Sequence, residues 1–190
     1  MIRIINPSSC RLGVMPIPLP VVLVSYKDNN ESGANLTTAS YAGQLSSGQV
    51  YVSLRPSRHA FGRMKEGGNF GINYLTPEQA MIADYCGLVS GRDVDKFKAT
   101  GLTHKVSIFL TSIVEESPLI IECDLERVIE ADPSKRYPNS HHIFVGNVLQ
   151  IRQGDPNAKF LMHRDFQYFS SDNVPLGNVM EIGKQWKPRR

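Results

Sequence analysis

The chain has 190 residues, 41% of them apolar and 21% charged, with a formal net charge of +3. That balance suits one folded domain with a full core, and no apolar run reaches the ~18 residues of a membrane helix. Four of the positive charges lie in 184-KQWKPRR-190, so the remainder lacks the concentrated basic stripe of a nucleic-acid-binding face.

The opening MIRIINPSSCRLG has neither a long apolar core nor a small-residue cleavage site, so no secretory leader is expected. Cys10, Cys86 and Cys123 are odd in number and never form CxxC, which points to a cytoplasmic, disulfide-free protein without structural zinc. Val21 to Val24 is a continuous apolar run and predicts a strand buried on both faces. After a turn-rich break at Asp28 to Gly33 comes 33-GANLTTASYAGQLSS-47, which shows neither strand alternation nor a helical stripe. Residues 49 to 55 alternate Val50, Val52 and Leu54 against Tyr51, Ser53 and Arg55 and predict a strand that Pro56 ends. Ser57 is placed to cap a short helix with Ala60, Phe61 and Met64 on its apolar face, stopped at Gly67-Gly68.

Phe70 to Tyr74 reads as a further strand. In 76-TPEQAMIADYCGL-88, Thr76 and Gln79 form a capping box, Pro77 takes the first helical position, and Met81, Ile82, Tyr85 and Cys86 make the expected buried stripe. The segment 90-SGRDVDKFKATG-101 predicts a short helix or turn anchored by Val94 and Phe97. Strands are expected at about 105–110, 118–130 and 142–152, with an irregular connection from Pro133 to Ser140. From about residue 155, Pro156, Pro175, Pro188 and scattered aromatics suggest an extended C-terminal arm of the same domain, 1–190, with a short helix near 157–163. Strands outnumber helices and no βαβ rhythm appears, so the fold expected from the residues is a small β-barrel with helices inserted between strands.

The usual enzyme signatures are missing, with no GxGxxG after a strand and no GxxxxGK[ST], GxSxG or HExxH. Adjacent strand side chains point to opposite faces, so His141 and His142 do not suit one metal ion; one of the pair is expected to face inward as a donor. Cys86 on its helical stripe and Cys123 between two acids read as buried, inert thiols. Three polar groups remain. Asn35, Thr37, Thr38, Ser40 and Tyr41 fit either a Ser/Thr-rich loop or a wall for a flat heteroaromatic ligand with imide edges. Ser53, Arg55, Ser57, Arg58 and His59 crowd a strand end and a helix start, either as a phosphate site or as a solvated basic corner. Lys96, in Asp95-Lys96-Phe97, reads by itself as a surface lysine.

In order along the chain, PVVLV, a turn, NxxTxSY, RPSR, NFGINY, CGxxSGRxxDKF, IECxxE and HHIFVGNV resemble the flavin reductase-like proteins, flavoredoxins in particular, over about Pro16 to Val148. The resemblance implies a mainly β, FMN-binding split β-barrel of Greek-key type with about six strands and short flanking helices. It implies a homodimer that binds FMN non-covalently near its interface, without metal. Carried onto this sequence, it assigns Asn35, Thr38, Ser40 and Tyr41 to the flavin ring or ribityl side, and Ser53, Arg55 and Arg58 to the phosphate side. Lys96 and His142 would lie by the flavin. Two departures stand out. Ala60 occupies a position where the family often has a phosphate-binding Thr or Ser, leaving Ser57, Arg58 or His59 to replace it. The family's GDH triplet reads Ser140-His141-His142. The implied function is electron transfer through flavin from NAD(P)H or a redox partner protein. Alternatives are a reductase that treats FMN or FAD as a diffusible substrate, and a non-catalytic flavin- or nucleotide-binding module. Positive charge from Lys96 or His142 near the ring N1–C2=O edge would favour the reduced flavin and raise its potential.

Overall fold

A computed structural model describes residues 17–134, 140–164, 167–178 and 181–188. Cys10 and part of the Pro133–Ser140 connection lie outside the described residues. Seven antiparallel strands form the main sheet: β2 (Val22–Lys27), β3 (Ala34–Ala39), β4 (Ala42–Ser46), β5 (Gln49–Leu54), β6 (Asn69–Tyr74), β9 (Leu119–Glu130) and β10 (His142–Gln153). Their order is β3-β2-β6-β9-β10-β5-β4. The two edge strands, β3 and β4, are consecutive in the chain and separated only by Ser40 and Tyr41. The sheet therefore curls round on itself, and among the described residues no ladder joins β3 to β4. This is a mainly β, split-barrel fold.

The strand buried on both faces is β2. Val22, Val24 and Tyr26 face the barrel interior with Val52, Phe70, Ile72 and Phe144. Leu23 faces the other way, onto a second core with Leu36, Ala83, Cys86, Phe97 and Leu161. Each fully buried large side chain contributes roughly 1.5–3 kcal/mol, so one six-residue strand helps to hold both cores. The barrel is tightest at β10, where an added Cβ on Gly146 would lie 2.7 Å from Phe70 Cζ and 2.8 Å from Cys123 Cβ. Only glycine fits there, and the ladder with β9 shifts register at Val145/Gly146.

The elements between strands correct several expectations. The stretch 33–47 is two strands, not a structureless segment: its small residues pack because β2 and β5 supply the bulk opposite them. Helix α1 spans His59–Gly67 with Arg58, not Ser57, at its N-cap and no side-chain cap. The capping box at Thr76 and Gln79 is present, with the Thr76 N–H donating to Gln79 Oε1 at 2.9 Å, and opens a 3-10 turn that runs into α2 (Ala80–Leu88). In α2 the buried residues are Ala80, Ala83, Asp84, Tyr85 and Cys86, whereas Met81 and Ile82 are half-buried. The helix is covered from two sides, so no single stripe describes it. Helix α3 (Lys96–Thr100) is capped by Asp95, whose side chain accepts from the Lys98 N–H at 3.1 Å. The strand expected at 105–110 stops early: β7 (His104–Val106) turns at Leu110, which has φ 59, into β8 (Ser112–Val114).

No helix forms near 157–163. Strands β11 (Leu161–Arg164), β12 (Gln167–Ser170) and β13 (Pro175–Asn178) make a second sheet with the short β1 (Leu19–Pro20). The segment after residue 155 therefore folds back. Tyr168 Oη donates to Asp84 Oδ1 at 3.0 Å, the Gly183 N–H donates to Asp84 Oδ2 at 2.9 Å, and Trp186 Nε1 donates to Ala99 O at 3.2 Å. These contacts press the C-terminal turn (Ile182–Gln185) onto α2 and α3. Among the described residues, no helix is long and apolar enough to cross a membrane.

Candidate functional site

A half-open pocket of about 290 Å3 lies where β5 passes into α1, across from the loop 88–92 and Lys96. Its lining includes Arg55, Arg58, Arg92 and Lys96, with Ser57, His59 and Ala60. No lining residue is a carboxylate. The start of α1 faces this space with no side-chain cap and no acid in its first turn. A helix start leaves backbone N–H groups without partners and carries a partial positive charge. The arrangement is suited to hold a phosphoryl group.

Lys96 is 2% exposed. Its Nζ donates to the Cys86 carbonyl at 2.6 Å, at the end of α2. Burial pushes the ammonium down to about 8, the Cys86 sulfur opposes that, and Arg58 adds to it. A buried cation without a carboxylate is costly, and an anion in the pocket would relieve that cost. Arg58 is steered by a hydrogen bond from Nη1 to the Gly87 carbonyl at 2.8 Å. Its guanidinium is also held below its usual range, by burial and by Arg55.

Asn35 lies behind the pocket and holds the loop that lines it. Its Nδ2 reaches the carbonyls of Gly91 (3.2 Å) and Val94 (3.0 Å) and Asp28 Oδ2 (3.1 Å), while Oδ1 accepts from the N–H groups of Leu36 (2.9 Å) and Lys96 (3.1 Å). Every capacity of this amide is used inside the protein. Asn35 therefore positions the 91–96 loop and does not offer itself to a ligand. Asp28 gathers Arg63 (3.0 Å), His59 (3.1 Å) and the Asn29 N–H (2.9 Å). Against the penalty of burial, the hydrogen bonds from Asn35, the Asn29 N–H and His59 hold its carboxyl below the usual range. Its charge is thus spent behind the pocket, not in it. Gly91 must be glycine for a packing reason: a Cβ would lie 2.8 Å from Tyr26 Oη and 2.9 Å from His59 Cδ2.

A second cluster joins the pocket through Arg55. Arg55 Nε meets His141 Nε2 at 3.1 Å, and His141 Nδ1 lies 3.2 Å from both Ser53 Oγ and the Ser53 carbonyl. The His141 ring stands edge-on to Tyr41, with centroids 5.4 Å apart. Burial lowers the imidazole pKa, the Ser53 carbonyl opposes this, and Arg55 and Arg58 reinforce it. At neutral pH the ring is an uncharged donor–acceptor beside an aromatic face.

The structure thus brings Tyr41, Ser53, Arg55, Ser57, Arg58, His59 and Lys96 into one region. It does not bring His142 there. That ring packs edge-on against Phe61 at 5.1 Å, with Glu130 Oε1 4.0 Å from its Nε2. Its neighbour His141 faces Tyr41 and Arg55 instead, because side chains alternate as the chain enters β10. Thr38 faces away too, donating through Oγ1 to the Ala83 carbonyl at 2.6 Å. Thr37, one residue earlier on β3, lines the pocket. Ser40 is half-buried between β3 and β4 and does not line the pocket. Ala60 does, as a 1% exposed wall with no polar atom to offer. The residues offer both Thr37 and Thr38 as wall candidates, and the resemblance assigns Thr38 where the pocket takes Thr37. Sequence reasoning missed Arg92 and the positioning roles of Asp28 and Gly91. Strand alternation would have separated the two threonines, and the SGR triplet was the available sign of Gly91 and Arg92. Cys86 and Cys123 are fully buried, and burial pushes each thiol up to about 12, so neither is a nucleophile near neutral pH.

Comparisons with known proteins give the family and the fold. The family model of the flavin reductase like domain matches residues 14–171. A flavin reductase of Pseudomonas putida is 25% identical over 162 residues, spanning 84% of this chain and 88% of that protein. The solved flavoredoxin of Desulfovibrio vulgaris (Miyazaki F) superposes with a TM-score of 0.74 at 24% identity, covering 90% of this chain and 93% of its own. A flavoredoxin from Methanosarcina acetivorans gives 0.72 at 20% identity, covering 97% and 98%. At these identities the two structures speak for the fold.

Proposed function

Because the chain belongs to the flavin reductase like domain family, which places it among flavin-related oxidoreductases, we propose that it is an FMN-binding flavoprotein of flavoredoxin type. It accepts electrons from NAD(P)H or from a redox partner protein and passes them on. The observation that carries this reading is the basic pocket at the start of α1, with a 2% exposed lysine among its lining cations and no lining carboxylate. That donor set fits a terminal phosphate. Arg55, Arg58, Lys96, Ser57 and the first N–H groups of α1 would hold it, His59 would flank it, and Ala60 would give room in place of a hydrogen bond. Tyr41 and His141, contiguous with the pocket through Arg55, would border the ring. When bound, FMN supplies the electron chemistry, taking a hydride from a reduced nicotinamide or electrons from a protein.

The chain's own part is to bind, orient and tune. Lys96 presents positive charge from a nearly dry position, where it acts more strongly than it would in water. His141, kept neutral by burial and two arginines, ties Arg55 to Ser53 without adding charge. Asn35 and Asp28 hold the loop and His59 in place, so little ordering remains to be done on binding. The protein is further proposed to act as a homodimer in the cytoplasm, without nucleic-acid or membrane partners.

The test is an absorption spectrum of the purified protein and an FMN titration followed by fluorescence quenching, then reduction under anaerobic NADH and NADPH. Flavin bands, or quenching on addition, support the reading. A folded, colourless protein that leaves FMN fluorescence unquenched would falsify it. A second reading, flavin as a diffusible substrate, is favoured by the exposure of Arg55, Ser57, Arg58 and Arg92 at the pocket mouth. Loss of flavin during gel filtration, with turnover of added FMN, distinguishes it.

A further inference from the structure

We infer that the C-terminal turn, Ile182–Gln185 with Trp186, is a clasp that positions Lys96 and Arg58, so that docking of this turn and binding of FMN favour each other. This rests on the flavin reading above. Both cations hang from the end of α2. The last backbone bond of that helix runs from the Val89 N–H to the Tyr85 carbonyl at 3.1 Å. The next two carbonyls lack helical partners and lie at the negative end of the helix dipole. Lys96 Nζ donates to the first of them, Cys86 O, at 2.6 Å, and Arg58 Nη1 donates to the second, Gly87 O, at 2.8 Å. A shift of this helix end therefore moves both cations.

The clasp holds the two residues just before these carbonyls. Asp84 is 2% exposed and accepts from the Gly183 N–H at 2.9 Å and from Tyr168 Oη at 3.0 Å. The Gly183 backbone lies directly on the helix, since an added Cβ would be 2.3 Å from the Tyr85 backbone nitrogen and 2.6 Å from the Asp84 carbonyl carbon. The Trp186 ring is tilted against that of Tyr85, with centroids 6.3 Å apart. Four consecutive residues thus divide into two pairs. Asp84 and Tyr85 are held by the tail, and Cys86 and Gly87 hold the cations. Trp186 Nε1 also donates to the Ala99 carbonyl of α3 at 3.2 Å, and Lys96 is the first residue of that helix. The turn consequently touches both helices that fix Lys96, one through its backbone and one through its ammonium.

No residue of the turn lines the pocket, so Gly183 and Trp186 act as positioning residues, through α2 and α3. Asn35 supports Lys96 from the other side, by accepting from its N–H at 3.1 Å. A binding constellation works only while its groups are held to within about 0.5 Å. The coupling is reciprocal: a phosphate that fixes Lys96 and Arg58 also fixes the seat of the turn, and FMN closes the turn by the factor by which the turn tightens FMN.

The test uses the full chain as wild type, Gly183→Ala, Trp186→Phe and, as a control in the barrel interior, Ile72→Val. FMN Kd is measured by fluorescence quenching, well below the melting temperature of each protein. Gly183→Ala should weaken FMN binding roughly tenfold, the scale of one charge-assisted hydrogen bond to phosphate. Trp186→Phe, which keeps a ring against Tyr85 but loses the bond to Ala99, should fall between Gly183→Ala and the wild type. Ile72→Val lowers stability at a distant site and should bind FMN within about twofold of the wild type. Trypsin reads the reciprocal effect. Cleavage after Lys184, exposed in the turn, reports how often the turn opens. Saturating FMN should slow it roughly tenfold, while cleavage after Lys105, exposed on the β7–β8 hairpin, keeps its rate. An FMN Kd within about twofold of the wild type in folded Gly183→Ala and Trp186→Phe, an equal loss of affinity in Ile72→Val, or no selective slowing at Lys184 overturns the inference. If Gly183→Ala does not fold, Trp186→Phe and the proteolysis decide. FMN uptake by the wild type, measured first, separates the two failures. Uptake without coupling removes the clasp alone, and no uptake removes it together with the flavin reading.

Discussion

Replacing Lys96 with Met tests the buried ammonium from two sides, because stability and binding should move in opposite directions. In the flavin-free protein the lysine is 2% exposed and its pKa falls from 10.5 to about 8. Each pKa unit corresponds to about 1.4 kcal/mol, so keeping the charge buried costs about 3 kcal/mol. The folded pKa lies below the unfolded one, so this cost is complete below about pH 8 and vanishes as pH rises from about 8 to 10.5. Methionine removes the cost but also the hydrogen bond to the Cys86 carbonyl, worth about 1 kcal/mol. The flavin-free variant should therefore be about 2 kcal/mol more stable at pH 7, a rise of roughly 4–8 °C in Tm for a domain of this size. FMN binding should weaken ten- to hundredfold, since a charge-assisted hydrogen bond to phosphate is worth about 1.5–3 kcal/mol. Thermal melts of the flavin-free proteins between pH 7 and 10.5, with FMN titrations at pH 7, measure both. A variant that melts no higher at pH 7, or a gap that does not shrink toward pH 10.5, refutes the cost assigned to the charge. An unchanged FMN Kd refutes the anion-facing role.

Gly91→Ala should cost about 1–3 kcal/mol and weaken FMN binding several-fold, because its Cβ would collide with Tyr26 and His59; a melt and a titration that both match the wild type would show that the loop simply gives way. Asp28 is held below its usual 3.8 by its hydrogen bonds, so it stabilises the fold above that value and the benefit is lost as pH falls through the lowered one. The stability gap between wild type and Asp28→Asn should accordingly be open at pH 7 and close below about pH 4; a gap independent of pH would point to shape and not charge. Cys86→Ser should keep flavin binding and turnover while losing about 1–3 kcal/mol, since it buries a hydroxyl among apolar neighbours. Loss of turnover in a folded, flavin-loaded Cys86→Ser protein would make that thiol functional after all.

Local rules account for much of what could be read before folding. The alternation of Val50, Val52 and Leu54 marks β5, the unbroken Val21–Val24 run marks a strand covered on both sides, and Thr76 with Gln79 announces the turn into α2. These signals live within a few residues, where backbone geometry and side-chain period act directly. The basic corner from Arg55 to His59 was legible for the same reason, because a strand end and a helix start adjoin there.

Other features depend on residues far apart in the chain. The small residues of 33–47 become strands only because β2 and β5 lie opposite them, and no window of the sequence contains both partners. Lys96 reads as a surface lysine until α2 and Arg58 close over it. Asn35 looks like a ligand donor until Asp28, Gly91, Val94 and Lys96 use up its amide. His141 and His142 are one residue apart, yet they face Tyr41 and Phe61 respectively, a choice made by how β10 enters its ladder. The strand-rich architecture and the charges available to hold a phosphate follow from residue order alone. Tertiary structure alone decided which of those charges are buried, which are neutralised behind the pocket and which face the ligand, because burial and pairing are properties of contacts between distant segments.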